Sequence, residues 1–171
     1  MNSEKEERLY KKRNLYLFNT PLEIGIRALV ILNTLESEYL GIDRLVIYDY
    51  LILHTGDVVG GPPSVHPATP HRSGELIVKR KAMLEGLNLM YSKGLIKIHF
   101  LETGIEYGTS ETSNLFLEHF TSVYLQNLKE NAKWVVNNLH VYSESDLNQY
   151  VKSNIDRWGG EFINEALIRE I

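Results

Sequence analysis

Apolar residues recur at three- and four-residue spacing along most of the chain, and one long stretch shows no period at all. Thr20-Pro21-Leu22-Glu23 opens the first periodic segment. Thr20 can cap a helix, and Pro21 suits a first helical position whose N–H would lack a partner anyway. Glu23 stands three residues after the cap, the spacing of a capping box. From Leu22 to Leu32 the segment is apolar almost all round, which predicts a buried helix ending near Leu35. A second helix is predicted over about 44–54, capped by Asp43 and carrying Leu45, Val46, Tyr48, Leu51, Ile52 and Leu53. A third is predicted from Ser73 as N-cap, with Glu75 in its first turn, to about Ser92, where Lys93 and Gly94 end it.

The period then changes to two. Ile96, Ile98 and Phe100 share one face, Glu102-Thr103-Gly104 is a turn, and Ile105-Glu106-Tyr107 alternates again, which predicts a β-hairpin. A long helix is predicted over about 113–139, with Leu115, Phe116, Phe120, Tyr124, Leu128, Trp134, Val135 and Leu139. Ser143 caps a further helix with Asp146 near its start, and Leu147, Tyr150, Val151, Ile155 and Trp158 fall at helical spacing. Gly159-Gly160 breaks it before a short amphipathic segment.

Three helices followed by a hairpin predict an α+β chain that is mainly α. The expected architecture is a winged helix-turn-helix-like core with a long Gly/Pro loop between helices two and three and appended C-terminal helices. As one globular unit, it divides into a charged arm over 1–14, a core over 15–110 that includes the loop 54–74, and a helical extension over 111–171.

The aperiodic stretch is residues 54–74, which hold four of the five prolines, four of the twelve glycines and three of the six histidines. Loops of this length inside small domains are usually functional or disordered. Prolines fix φ and restrict the preceding residue, and the composition is neither Gly/Ser-rich nor highly charged, so an ordered platform is expected.

Composition narrows what such a platform can present. The chain has 171 residues, no cysteine and a net charge of −4. The absent thiols exclude disulfides, Cys-ligated zinc and thiol catalysis. No apolar run spans a bilayer, because Glu23, Arg27 and Asn33 interrupt the best one, and the charged start lacks a signal core. A cytoplasmic location is the expectation.

Five kinds of chemistry are open to these residues. Arg72, Lys79, Arg80 and Lys81 lie near the start of the third helix, and Lys79, Arg80 and Lys81 are the candidate DNA contacts. Glu75 and Glu85 dilute that stripe, the hairpin carries Glu102 and Glu106 beside Lys97, and a solvated helix face is the plainer reading. His54, Asp57, His66 and His71 are metal-ligating types, but their spacing matches no established site, and such side chains commonly satisfy loop backbone instead. Gly60-Gly61-Pro62-Pro63 lacks the Gly-Lys-Ser/Thr of a P-loop, and its prolines remove the N–H groups a phosphate needs. Ser64, His66 and His71 are close in sequence, yet no nucleophile elbow surrounds Ser64. A proline-stiffened loop does offer low-entropy contact area to a protein partner, with Asp57, Pro62, Pro63, His66, His71 and Arg72 as candidate contacts. Tyr48, Tyr50, Tyr142, Tyr150, Trp134 and Trp158 include possible interface anchors, although helical spacing favours core packing for most of them. No catalytic, cofactor or metal residue is assigned.

Three segments also carry a resemblance: Phe18 to Arg27, Tyr48 to Asp57, and Gly60 through the Pro/His loop to Leu76. With Gly94-Leu95-Ile96, Trp134-Val135-Val136 and Arg157-Trp158-Gly159, they resemble the middle component of bacterial ABC-three-component systems over about 15–162. The resemblance implies a non-enzymatic accessory subunit of Lamassu-type anti-phage or anti-plasmid defence. Its partners would be an SMC/Rad50-like ABC ATPase and an effector such as a nuclease, with DNA reached mainly through the complex. The rival expectations are a stand-alone winged-helix DNA regulator and a metal-dependent enzyme built on the His-rich loop.

Overall fold

The computed structural model describes residues 19–67, 72–154 and 158, except for the side chains of 72–78. The expected arm over 1–14, the apolar segment 15–18, Ile155, the Gly159-Gly160 break and the closing segment lie outside those residues.

Helix α1 spans Pro21–Thr34. Thr20 caps it by accepting the Glu23 N–H at 3.2 Å. The expected capping box is displaced by one residue, because the Glu23 carboxylate accepts the N–H of Asn19 at 2.8 Å. Asn19 adopts φ 62°, a left-handed conformation that asparagine tolerates. The all-round apolar pattern of α1 is matched by burial from Ala28 through Leu32.

Strand β1, Leu40–Gly41, is too short to show any period in the sequence. Helix α2 follows directly at Ile42–Leu53. Gly41 occupies the N-cap without a side-chain bond, so Asp43 lies in the first turn and is not the cap. Helix α3 spans Arg72–Ser92, which places Ser73 and Gly74 inside it and shortens the loop. Ser73 is therefore not its N-cap. Gly94 ends α3 as expected: at φ 70° its N–H bonds Tyr91 O at 2.9 Å while Leu95 N–H reaches Met90 O at 3.0 Å. That bond pair is the Schellman ending that glycine makes accessible.

The hairpin forms from β2, Ile96–Leu101, and β3, Gly104–Thr109. β1 joins it on the far side of β3, giving an antiparallel sheet in the order β1-β3-β2. The single long helix expected over 113–139 is two helices, α4 over Ser113–Glu118 and α5 over Val123–Leu139. Ser122 restarts the chain as an N-cap, accepting the Leu125 N–H at 3.3 Å. Apolar spacing alone ran across that break. Ser143 caps the last helix, seen over 144–154, by accepting the Asp146 N–H at 3.1 Å. The protein is thus mainly helical with one small antiparallel sheet. Its hydrophobic core joins α1, α2, α3 and α5, with Leu147, Val151 and Trp158 closing one side.

Candidate functional site

The described part of the aperiodic loop is fastened down. After His54 the chain makes a 3-10 turn at Thr55–Asp57 and then doubles back. The N–H groups of Val65 and His66 both donate to the Leu53 carbonyl at 3.1 Å. Thr55 Oγ1 donates to Pro63 O at 3.2 Å, and the Gly56 N–H donates to Ser64 Oγ at 3.0 Å. Gly61 lies so close to Thr55 that a Cβ there would collide with the Thr55 carbonyl oxygen. From α5, Asn131 Nδ2 donates to Ile52 O at 2.9 Å and to Thr55 Oγ1 at 3.1 Å. A proline-rich turn has carbonyls to satisfy and few donors of its own, and the neighbouring side chains supply them.

Beneath the loop lies a charged cluster. Arg27 of α1 is 1% exposed and Asp49 of α2 is fully buried. They bond bidentately, Nε to Oδ1 at 2.5 Å and Nη2 to Oδ2 at 3.1 Å. Arg27 also donates to Glu23 Oε1 at 3.0 Å and Asn19 Oδ1 at 3.1 Å. Lys79 of α3, itself buried, brings Nζ to 3.5 Å from Asp49 Oδ2 and lies over the Tyr50 ring. Burial pulls the Arg27 guanidinium down, but the charge and hydrogen bond of Asp49, with the Glu23 charge, hold it above its usual value. The cluster ties α1, α2 and α3 together, with Arg27, Asp49 and Lys79 buried and Glu23 at its partly exposed edge. A buried pair of this kind adds little net stability, yet removing one partner strands the other charge.

His66 links the loop to this cluster. Its Nε2 is 2.9 Å from the Tyr124 hydroxyl of α5, with the two rings stacked. Burial first, then the Arg27 charge, lower the His66 pKa from its usual value. Burial likewise raises the Tyr124 phenol.

The residues proposed from sequence therefore separate. Asp57 accepts the Tyr50 hydroxyl at 2.9 Å and His66 meets Tyr124, so both polar contacts are made within the protein. Pro62 is half-buried and Pro63 exposed. His71 and the Arg72 side chain lie outside the described residues. His54 is buried against Tyr50 and meets the His66 ring edge-on, the centroids 6.4 Å apart. Among the described residues, no three His, Asp or Glu side chains are grouped to hold a metal ion. Of the basic trio on α3, Lys79 is turned into the core and cannot meet a phosphate in this arrangement. Arg80 is exposed but pairs with Asp43 at 2.8 Å, and Lys81 is exposed. Tyr48 and Tyr50 are fully buried and so are core residues, not interface anchors.

Sequence reasoning missed the Arg27–Asp49 pair, although a signal was present. Arg27 is the one charge within 24–32 and Asp49 the one charge within 45–53, both otherwise without charge, and the two have opposite sign. It also missed a second joint, where buried Arg44 donates to Glu144 Oε1 at 2.5 Å and to Tyr142 O at 2.6 Å, latching the last helix onto α2.

What the geometry describes is a braced scaffold, and comparison with known families agrees with the resemblance noted above. The profile of the ABC-three component (ABC-3C) system Middle Component 2 family matches residues 17–161. The chain belongs to that family. As a Middle Component 2 protein, it works with other components in a complex. The match takes in α1 through the last helix, including the loop and both buried joints. Searches of curated proteins and of solved structures each found no match. Among the described residues, no helix is long and apolar enough to cross a membrane.

Proposed function

We propose that this chain is a non-enzymatic subunit of a cytoplasmic anti-phage and anti-plasmid defence complex of the Lamassu type. In this reading it bridges an SMC/Rad50-like ABC ATPase and an effector such as a nuclease. The family match over residues 17–161 carries the proposal. The interior geometry supports it, since the buried side chains of the loop region brace helices and are closed to a substrate. We read residues 15–110 as a winged helix, on the element order helix, strand, helix, helix, strand, strand of its described residues and the sheet order β1-β3-β2. With Lys79 buried and Arg80 paired, that core serves to bind protein, and DNA is reached through the complex.

Co-expression with the ATPase and effector components of its system tests this. The expected outcome is a complex that survives size-exclusion chromatography, with phage protection lost when this chain is deleted. A chain that elutes alone, with protection intact after its deletion, would overturn the reading.

A further inference from the structure

Helix α5 holds the Pro/His loop by two contacts that differ in kind. Asn131 is buried, cannot titrate, and bonds Ile52 O and Thr55 Oγ1. His66 is partly exposed and meets α5 in its first turn. Its Nε2 is 2.9 Å from the Tyr124 hydroxyl, and its ring lies stacked on Tyr124 and edge-on to His54. Behind the ring, the N–H groups of Val65 and His66 are both bonded to the Leu53 carbonyl. The backbone is anchored there, so only the ring has to turn for the contact to part.

The charges around that ring decide when it turns. Arg27 and Glu23 of α1, Asp49 of α2 and Lys79 of α3 all bear on it. Both carboxylates are already bonded to Arg27, Glu23 through Nη1 and Asp49 through Nε and Nη2. The uncharged ring can meet Tyr124 without an added proton, because a phenol hydroxyl both donates and accepts. A proton added to the ring sets a further positive charge near Arg27 and Lys79, in a place partly closed to water. Burial and the Arg27 charge oppose that form and outweigh Glu23 and Asp49, which favour it. Turning the ring outward relieves the repulsion and restores hydration together.

We propose that the His66–Tyr124 contact is a proton-operated clasp between the Pro/His loop and α5, closed while His66 is neutral and opened when His66 takes a proton. At neutral pH α5 grips the loop through both His66 and Asn131. In mild acid the Asn131 hold remains, and the stacked faces of His66 and Tyr124 are bared beside the exposed Val123. The clasp is a property of the chain alone and does not depend on the bridging role proposed above.

The test is hydrogen–deuterium exchange of the full-length chain, read by mass spectrometry at about pH 7.5 and about pH 5.5, on either side of the imidazole range. Exchange times are scaled for the intrinsic rate at each pH. Segments 54–66 and 122–128 are expected to exchange several-fold faster in acid, with 24–32 of α1 unchanged. In His66→Gln, which cannot titrate, that acid response disappears. Tyr124→Phe keeps a ring to stack on but removes the hydroxyl, so the two segments exchange faster at both pH values and the acid increment shrinks. Equal protection of the wild type at both pH values overturns the proposal, with no variant needed. An acid response that persists in His66→Gln, or one that spreads equally into 24–32, overturns it as well, since the first assigns the response to another group and the second to loosening of the whole fold.

Discussion

The polar side chains of the Pro/His loop and the apolar side chains at the tip of the β-hairpin point in opposite directions. The loop has the most unusual composition in the chain, yet its described polar groups turn inward: Asp57 to Tyr50, His66 to Tyr124, Thr55 to Pro63 and Asn131. The hairpin has an ordinary alternating pattern, yet it carries Phe100 and Ile105 out of the core into solvent. Unusual composition marks where the backbone needs special help. Exposure of side chains that ought to be buried marks where another surface is expected. The first is a demand of folding, the second is apolar surface that this fold leaves uncovered, and here they occur at different places.

Substitutions can sharpen or break that contrast, beginning beneath the loop. Asp49→Ala strands Arg27 and Lys79 without their shared carboxylate and is expected to cost about 3–5 kcal/mol in urea unfolding. Gly61→Ala forces a methyl against the Thr55 carbonyl and is expected to cost about 1–3 kcal/mol, read as a lowered Tm. Asn131→Ala leaves the Ile52 carbonyl and the Thr55 hydroxyl without that donor, at about 1–2 kcal/mol in the same assay.

His66 gives a weaker, pH-dependent effect. Its folded pKa lies below the usual 6.5, so the unfolded chain binds the proton more readily. Its stabilising share is complete above about pH 6.5 and is lost as the pH falls through the lower folded value. Thermal unfolding of His66→Gln across that interval should show a shallower dependence on pH than the wild type. The smallest effect belongs to the hairpin. Phe100→Asp should leave stability within about 0.5 kcal/mol, because nothing in the core rests on that ring. A large loss there would mean that the tip braces the fold, and the contrast with the loop would collapse.

Much of the fold was legible in the pattern. α1, α2, α3 and the hairpin follow from period and turn residues, and Thr20 and Ser143 cap as expected whereas Asp43 and Ser73 do not; all these signals act over a few positions. The departures have specific causes. β1 has two residues and exists only because β3 is there to pair with it. The α4/α5 break rests on the Ser122 cap inside a run whose apolar spacing never falters. At the candidate site, the loop was visible as a loop. Asp57 and His66, read from sequence as partner contacts, also have internal partners, Tyr50 and Tyr124, which could be recognised only once the helices were packed.

The sequence by itself determined the helical content, the hairpin, the long proline-rich connection and membership of a family, because these are encoded in local spacing or in residue identity. Tertiary structure alone decided which charges face inward. Lys79 and Arg80 are neighbours in sequence, and a helix turns about 100° between them. One is carried into the core against Asp49 and the other into solvent against Asp43. The same holds for Ile98 and Phe100, which share a face of β2 although only the first has a core to cover it. Period tells which residues point the same way, and only packing tells what they meet there.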